Sequence, residues 1–378
     1  MPNRQAPTAT NQALDKTTHK AQGKTANRAA HASAQDDADT TAIELPPWFA
    51  PTAERFLNQK QALAHAWLFS GASGIGKFEF AQFLAQSLLC EQPAVQGFAC
   101  GQCPPCQWVT KGHHPDLKYV YPSAMQQRLF PLHSNGESDE QSQVIRVEQI
   151  RGLDDWFHAS THRAGFRVVV VYPAHLLHPI AANAILKILE EPLPQTVFLL
   201  LSDQAAQLLP TIRSRCQQLN LPRPDTQAAL QWLHSQQVDE AKDWLAAHDG
   251  APMLALAAAK QGDSPVPSWL EQLCMGLEQR QQAQIYALLA TLQEQPYGSL
   301  LTVLQRCVLD IQYSQFGLAV RHYPKLAPIL QQLGKRASPH RVLHILNELS
   351  QRQRTAQHPF NEALRVHSLV DDLFYAFT

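Results

Sequence analysis

The sequence is short of charge. Asp, Glu, Lys and Arg make up only 17% of its 378 residues, and the formal net charge is −1. There is no global basic field, so tight nonspecific DNA binding by the whole chain is not expected. No run of about 18 uncharged apolar residues occurs, and the N-terminus lacks the apolar core of a signal peptide. Neither membrane insertion nor secretion is expected, and the chain is assigned to the cytoplasm. Residues 1–42 hold almost no large apolar side chain. Rich in Ala, Thr, Gln and Asp, they cannot repay the entropy of ordering and are predicted to be a disordered tail. The remainder is not poor in core residues: the chain is 45% hydrophobic, enough for two or three domains.

Two more absences concern chemistry. Gly71-Ala-Ser-Gly74-Ile-Gly76-Lys77-Phe78 follows an apolar run, Ala66-Trp67-Leu68-Phe69, and precedes a helix-like run from Phe80 to Leu89. Strand, glycine-rich turn and helix is the setting of a phosphate-binding loop. Its glycines let backbone N–H groups curl around a phosphate, and the helix N-terminus adds partial positive charge. Gly71, Gly74, Gly76 and Lys77 are the candidate nucleotide-binding residues. The next position should carry a hydroxyl for Mg²⁺, and it is Phe78. Further on, Arg167-Val-Val-Val-Val171-Tyr172 predicts a buried parallel strand. In a phosphate-loop ATPase that strand ends in acids, one for the magnesium shell and one to activate water. Here Tyr172 and Pro173 stand in their places. Both losses point to a nucleotide site without its magnesium half; a glycine turn that only packs strand on helix is the structural alternative.

Cysteine is concentrated rather than scarce. Four of the seven cysteines lie between 90 and 106. Cys100-Gly-Gln-Cys103-Pro-Pro-Cys106 aims successive thiolates at one point, and Cys90, at a helix end, can return as a fourth. Four thiolates suit a closed, tetrahedral, structural Zn²⁺ site. An iron–sulfur cluster fits less well, since the bacterial run needs a further Cys followed by Pro, and Gln107-Trp108 come next. Unligated buried thiols are the remaining alternative. His113 and His114 are rival ligands by proximity and are assigned instead to a surface turn before Pro115-Asp116.

Around these motifs, the patterning predicts a helix over 53–63, a short strand over 118–121, a polar loop over 122–143, a helix over 144–156, a helix over 181–191 stopped by Pro192, and a strand from Thr196 to Ser202. Pro222 and Pro224 mark a linker. Residues 225–262 suggest short helices, and apolar stripes such as Leu301, Leu304, Val308, Ile311 and Val342, Ile345, Leu349 suggest a helical bundle. Arg215, in Ile212-Arg-Ser-Arg-Cys216, is by itself often just an ion-pair partner, and Lys187, Glu190 and Glu191 an ordinary solvated helix face.

Ala181-Ala-Asn-Ala-Ile-Leu-Lys-Ile-Leu-Glu-Glu-Pro192, followed by Ser214-Arg215-Cys216 and taken with the four cysteines, resembles the bacterial DNA polymerase III clamp-loader subunits, of the AAA+ class. The resemblance is strong over about 43–262 and rests mainly on length and helical class beyond that. It implies an α/β fold: a RecA-like parallel sheet at 43–221 with a zinc module at 90–106, a small helical lid at 222–262, and an all-α collar at 263–378. It implies a hetero-pentamer with motor tau/gamma subunits and a delta subunit, which opens a sliding clamp and loads it on primed DNA. The missing acids separate the chain from the tau/gamma motor and imply the non-hydrolysing member, with ATP binding absent or weak. Arg215 matches the arginine finger supplied to a neighbour's ATP. Two other function classes remain: a free-standing AAA+ ATPase, opposed by Phe78, Tyr172 and Pro173, and a zinc-ribbon nucleic-acid binder, opposed by the lack of basic residues at 98–110.

Overall fold

Apolar and β-branched runs too short for helices make the centre of the protein. In the computed structural model, which describes residues 43–130, 142–158, 165–262, 264–356 and 361–377, five strands form one parallel sheet: β1 Ala66–Ser70, β2 Leu117–Val120, β3 Arg167–Val171, β4 Thr196–Ser202 and β5 Gln217–Asn220. Their order is β2-β3-β4-β1-β5. The expectation for residues 1–42 lies outside the described residues.

The sheet is covered on both faces, as a parallel sheet requires. Alternate residues serve each side. Trp67, Phe69, Val168, Val170, Val197 and Leu199 face α2 (Lys77–Leu89), which brings Phe80, Leu84 and Leu88. Leu68, Val169, Val171, Phe198 and Leu200 face Ile150 and Leu153 of α5 (Val147–His158) and Ala181, Ile185 and Leu189 of α6 (Pro179–Glu190). The remaining helices of this part are α1 (Ala50–Leu57), α3 (Pro104–Thr110), α4 (Gln126–Leu129) and α7 (Pro210–Arg215).

Three short helices follow: α8 (Thr226–Ser235), α9 (Ala241–Ala247) and α10 (Pro252–Ala259), packed around Leu233, Trp244 and Ala255. The chain then forms α11 (Ser268–Gln279), α12 (Gln282–Ala287), α13 (Leu289–Gln293), α14 (Tyr297–Gln315), α15 (Ala327–Arg336), α16 (Pro339–Arg354) and α17 (Glu362–Phe377). They share a core that includes Leu270, Leu301, Leu330, Val342 and Leu373. Parallel sheet, small helical layer and helical C-terminal part are the fold class that the AAA+ resemblance implies. Among the described residues, no helix is long and apolar enough to cross a membrane.

Local departures have physical causes. The helix expected over 53–63 stops at Leu57, and a 3₁₀ turn, Lys60–Ala62, takes over. The helix expected from 144 starts at Val147, because Ile145 is spent on a parallel bridge to Leu177. The polar loop at 122–143 begins with a 3₁₀ turn, Ser123–Met125, and α4. Two elements had no apolar signal: β5, whose residues are mostly exposed, and α3, which starts with Pro104 and Pro105, prolines suited to a first helical turn.

Strand register positions the site. Ser70 pairs with Ser202, and Val171 with Leu200. The C-terminal ends of β1, β3 and β4 are therefore adjacent, so the glycine loop, Tyr172 and Asp203 meet at one edge of the sheet. Ligands of open α/β sheets bind at this edge.

Candidate functional site

The loop has the predicted shape. Gly74 and Gly76 have φ of 72° and 93°, the left-handed region that side chains resist. A Cβ on Gly71 would lie 2.6 Å from the Leu221 carbonyl oxygen. The chain enters α2 at Lys77, so Gly71, Gly74, Gly76 and Lys77 lie together in one turn.

The lysine, however, is used inside the protein. Lys77 is 3% exposed. Its Nζ donates to the carbonyls of Gly71 (3.1 Å) and Ala72 (2.5 Å) and sits 2.5 Å from Asp203 Oδ1. An ammonium has three donors, and three acceptors surround this one. The loop is also packed from outside. Trp48 Nε1 donates to the Ile75 carbonyl at 2.9 Å, and the Met253 N–H donates to the Gly74 carbonyl at 3.0 Å. A Cβ on Gly74 would overlap Leu254 Cγ and lie 2.7 Å from its Cδ1. Helix α10 thus rests directly on the turn.

Where a magnesium shell would stand, the protein has an aromatic cluster. The Phe78 ring lies 5.9 Å from Tyr119, 5.8 Å from Phe130 and 5.5 Å from Tyr172, centroid to centroid. Burial pushes the Tyr119 phenol well above its ordinary pKa. Hard divalent cations take carboxylate, carbonyl and water oxygens, and none of these four rings brings a carboxylate. On the far side of the loop, His175 Nδ1 lies 3.2 Å from Ser202 Oγ. Burial lowers the His175 pKa, against the pull of Asp203 and with the push of Lys77.

At the other end of α2, the thiols of Cys90, Cys100, Cys103 and Cys106 converge, all four Sγ atoms within 4.8 Å of one another. Cys90 Sγ is 3.8 Å from Cys103 Sγ, and Cys100 Sγ is 4.0 Å from Cys106 Sγ. Four sulfurs about 2.3 Å from a tetrahedral Zn²⁺ are about 3.8 Å apart, so the set fits a metal of that size. Backbone N–H groups of Cys100 and Cys103 reach the Cys90 and Cys100 sulfurs at 3.3 Å each. Backbone donors at Gln102 and Cys103 pull the metal-free Cys100 thiol down to about 6, while burial raises Cys90 and Cys106. Gln86 steadies the module, its Nε2 donating to the Cys106 carbonyl and to Thr110 Oγ1, each at 3.1 Å. The histidines split. His113 is exposed, but His114 is buried, not on a surface turn: its Nδ1 accepts the Asp116 N–H at 3.0 Å, and its ring lies 5.8 Å from Trp108.

Arg215 ends α7, two residues from Arg213, so the two side chains leave the helix about 200° apart. Arg215 Nη1 donates to the Thr211 carbonyl at 3.0 Å, and Nη2 pairs with Glu190 Oε1 at the end of α6. The Arg215 side chain remains 34% exposed. Lys187, Glu190 and Glu191 are exposed, as a solvated helix face requires.

Sequence reasoning missed Asp203, Trp48 and Leu254, and named Glu190 only as part of a solvated helix face, not as the partner of Arg215. Asp203 had one available signal, an acid directly after a buried strand, but its meaning depended on β4 lying beside β1. The other three are contacts between elements distant in sequence and had no local signal.

Residues 53–225 match the family described as DNA polymerase III, delta subunit. The chain is 39% identical over 203 residues to the DNA polymerase III subunit delta′ of Pseudomonas aeruginosa, a match covering 53% of this chain and 57% of that protein. The chain therefore spans under two thirds of that relative's length. It is 31% identical over 313 residues to the subunit delta′ of Escherichia coli, covering 80% of this chain and 86% of the relative. Among solved structures, it is similar to a DNA polymerase III gamma subunit-related protein from Thermotoga maritima, with a TM-score of 0.46 and 16% identity over 87% of this chain and 99% of that one. The length and identity of the Escherichia coli match, with the family match over the sheet and its loop, place this chain in the DNA polymerase III subunit delta′ family.

Proposed function

We propose that the chain serves as a non-hydrolysing subunit of a bacterial clamp loader, assembling with tau/gamma motor subunits and a delta subunit to load a sliding clamp onto primed DNA. The observation that carries the proposal is Lys77. Phosphoryl transfer needs a lysine on the phosphates and a metal between them. Here the lysine is enclosed by Asp203 and two carbonyls of its own loop, and aromatic rings stand on the magnesium side. The chain would contribute as a rigid member: α10 is fixed on the loop, so the small helical layer is not free to report nucleotide state.

Within this function, Arg215 acts in trans as an arginine finger on a neighbouring motor's ATP, and Cys90, Cys100, Cys103 and Cys106 hold one structural Zn²⁺. The zinc fixes the excursion between α2 and α3 and takes no part in phosphoryl transfer. The domains run 43–221, 222–262 and 263–378, the last forming the contact with the other subunits.

The test is an omission experiment. Motor, delta, clamp and primed DNA are combined with and without this chain, and loaded clamp is counted. Loading should depend on the chain, and the chain should copurify with the motor through residues 263–378. ATP turnover by the purified chain alone, lost on Lys77→Ala, would point to a free-standing ATPase. Tight DNA binding by the chain alone would favour a nucleic-acid-binding module.

A further inference from the structure

The corner between α6 and α7 contains a contact that the function above does not use. Glu190 is the last residue of α6, and its Oε1 holds Arg215 Nη2; Arg215 Nη1 is on the Thr211 carbonyl. Both ends of the guanidinium fork are therefore engaged within the chain. The two engagements differ in kind. Thr211 lies four residues back on the same helix, so that contact follows the arginine. The Glu190 contact ties α7 to a different helix and constrains where the arginine can reach.

We propose that Glu190 parks Arg215 in the unassembled chain and is exchanged for the neighbour's phosphate on docking. The proposal rests on Arg215 acting in trans. A guanidinium can give its fork to a carboxylate or to a phosphate, but the same N–H groups cannot serve both. The exchange is easy because both side chains are on the surface, 34% and 49% exposed, and an exposed ion pair holds weakly. It also has a use: before assembly, the arginine is kept off stray anions and against its own subunit. Glu190 is thus a positioning residue whose removal favours the engaged state. Glu191, next in the chain and exposed, supplies the control for loss of one negative charge.

Two measurements on the full chain decide the matter. In the first, the isolated chain is treated with phenylglyoxal, which modifies accessible guanidinium groups, and adducts are mapped by mass spectrometry. Glu190→Gln should raise the rate at Arg215 about two- to fivefold, the range expected for losing a surface pair. It should leave Arg213 unchanged, and Glu191→Gln should change neither. In the second, the chain is titrated into motor and delta subunits with clamp and primed DNA. Glu190→Gln should lower the half-saturating concentration for ATP hydrolysis by about the same factor, with the plateau unchanged. Unchanged reactivity and half-saturation would overturn parking, and so would a lower plateau, which would make Glu190 part of the engaged geometry. If Arg215→Ala leaves the plateau untouched, the finger assignment fails, while the phenylglyoxal arm still reports on the ion pair.

Discussion

Lys77, in the glycine loop, and Arg215, the proposed finger, are both candidate phosphate-facing cations, and the protein treats them in opposite ways. Lys77 is buried, its ammonium donating to two carbonyls of its own loop and ion-paired with Asp203. Arg215 is at the surface, on a six-residue helix, with a weak partner. Burial makes the difference. A buried lysine that lost its carboxylate would leave an unpaired charge, so its partnership is fixed. An exposed arginine exchanges one anion for another at little cost. Under the proposed function, a buried lysine fixed within its own loop and an exposed arginine free to act in trans can therefore coexist in one chain.

The largest expected effect breaks the comparison on the arginine side. In related phosphoryl-transfer systems, an arginine supplied in trans is worth about 10³–10⁵ in rate. Arg215→Ala should remove that factor at the one motor site it faces and leave folding and zinc content intact, so steady-state hydrolysis by the whole ring falls only in part. Arg213→Ala, from the opposite side of α7, should retain most of the rate. Equal, wild-type rates for both variants would reduce Ser214-Arg215-Cys216 to a structural turn.

The next effects test the stiffness of the lysine side. Helix α2 runs from Lys77 to Leu89 and is pinned at both ends, by the glycine loop and by the thiol cluster. Metal analysis of the purified protein should give about one zinc per chain, and Cys103→Ser with Cys106→Ser should abolish it. Because binding to a structural site is folding energy, the double variant should also melt earlier and lose hydrogen-exchange protection over 90–110. Iron in place of zinc would refute the assignment. At the other end, Gly74→Ala meets two costs together: a left-handed residue with a Cβ, about 1–2 kcal/mol, and overlap with Leu254, about 1–3 kcal/mol. A urea midpoint unchanged by Gly74→Ala would show that α10 is not seated on the loop. Lys77→Ala should cost somewhat less, about 1–3 kcal/mol, the penalty of leaving the largely buried Asp203 carboxylate without its opposite charge. The loss should be recovered in part by Asp203→Ala in the same chain, since the pair is then removed together.

Much of this was legible before the structure. The loop, the four thiols, the strand Arg167–Val171 and helix α6 follow from spacing and composition, because each is a local pattern whose chemistry depends on residues close in sequence. The aromatic character of this corner was legible too, since Phe78 and Tyr172 bring no carboxylate whatever the fold. Pairings that depend on strand order were not. Asp203 is 126 residues after Lys77 and reaches it only because β4 lies beside β1. Glu190 reaches Arg215 only because α6 packs on α7. His114 reads as polar surface, yet it is buried beside Trp108, a result of how the cysteine module folds back on α2 and α3. Strand β5 escaped notice because an exposed edge strand needs no apolar alternation.

The smallest effect separates two ways of fixing the small helical layer. It touches the glycine loop through Leu254 and Met253, but it also carries Asp249, whose Oδ2 meets Arg223 and whose Oδ1 meets Arg321, both at 2.8 Å. If apolar seating on the loop holds this layer, the Asp249 pairs should matter little. Burial pushes the Asp249 carboxyl up, but the guanidinium groups of Arg223 and Arg321 outweigh it and hold the group below the usual carboxylate range. The sign follows. A carboxylate with a depressed folded pKa contributes stability that is complete above its unfolded value of about 3.9 and is lost as the pH falls through the lower folded value. Asp249→Asn should therefore lower stability at pH 7 by no more than about 1 kcal/mol, since the pairs are exposed. The deficit should be the same at pH 5 and should begin to shrink only as the pH falls below about 3.9, closing as the wild-type group is protonated in the folded state. Gly74→Ala, which removes shape rather than charge, should show the same deficit at every pH. Urea titrations of both variants at pH 7, 5 and 3.5 make the comparison. If Asp249→Asn proved the costlier variant at pH 7, the layer would be held by its ion pairs, and the stiffness assigned to the loop would have to move to the surface.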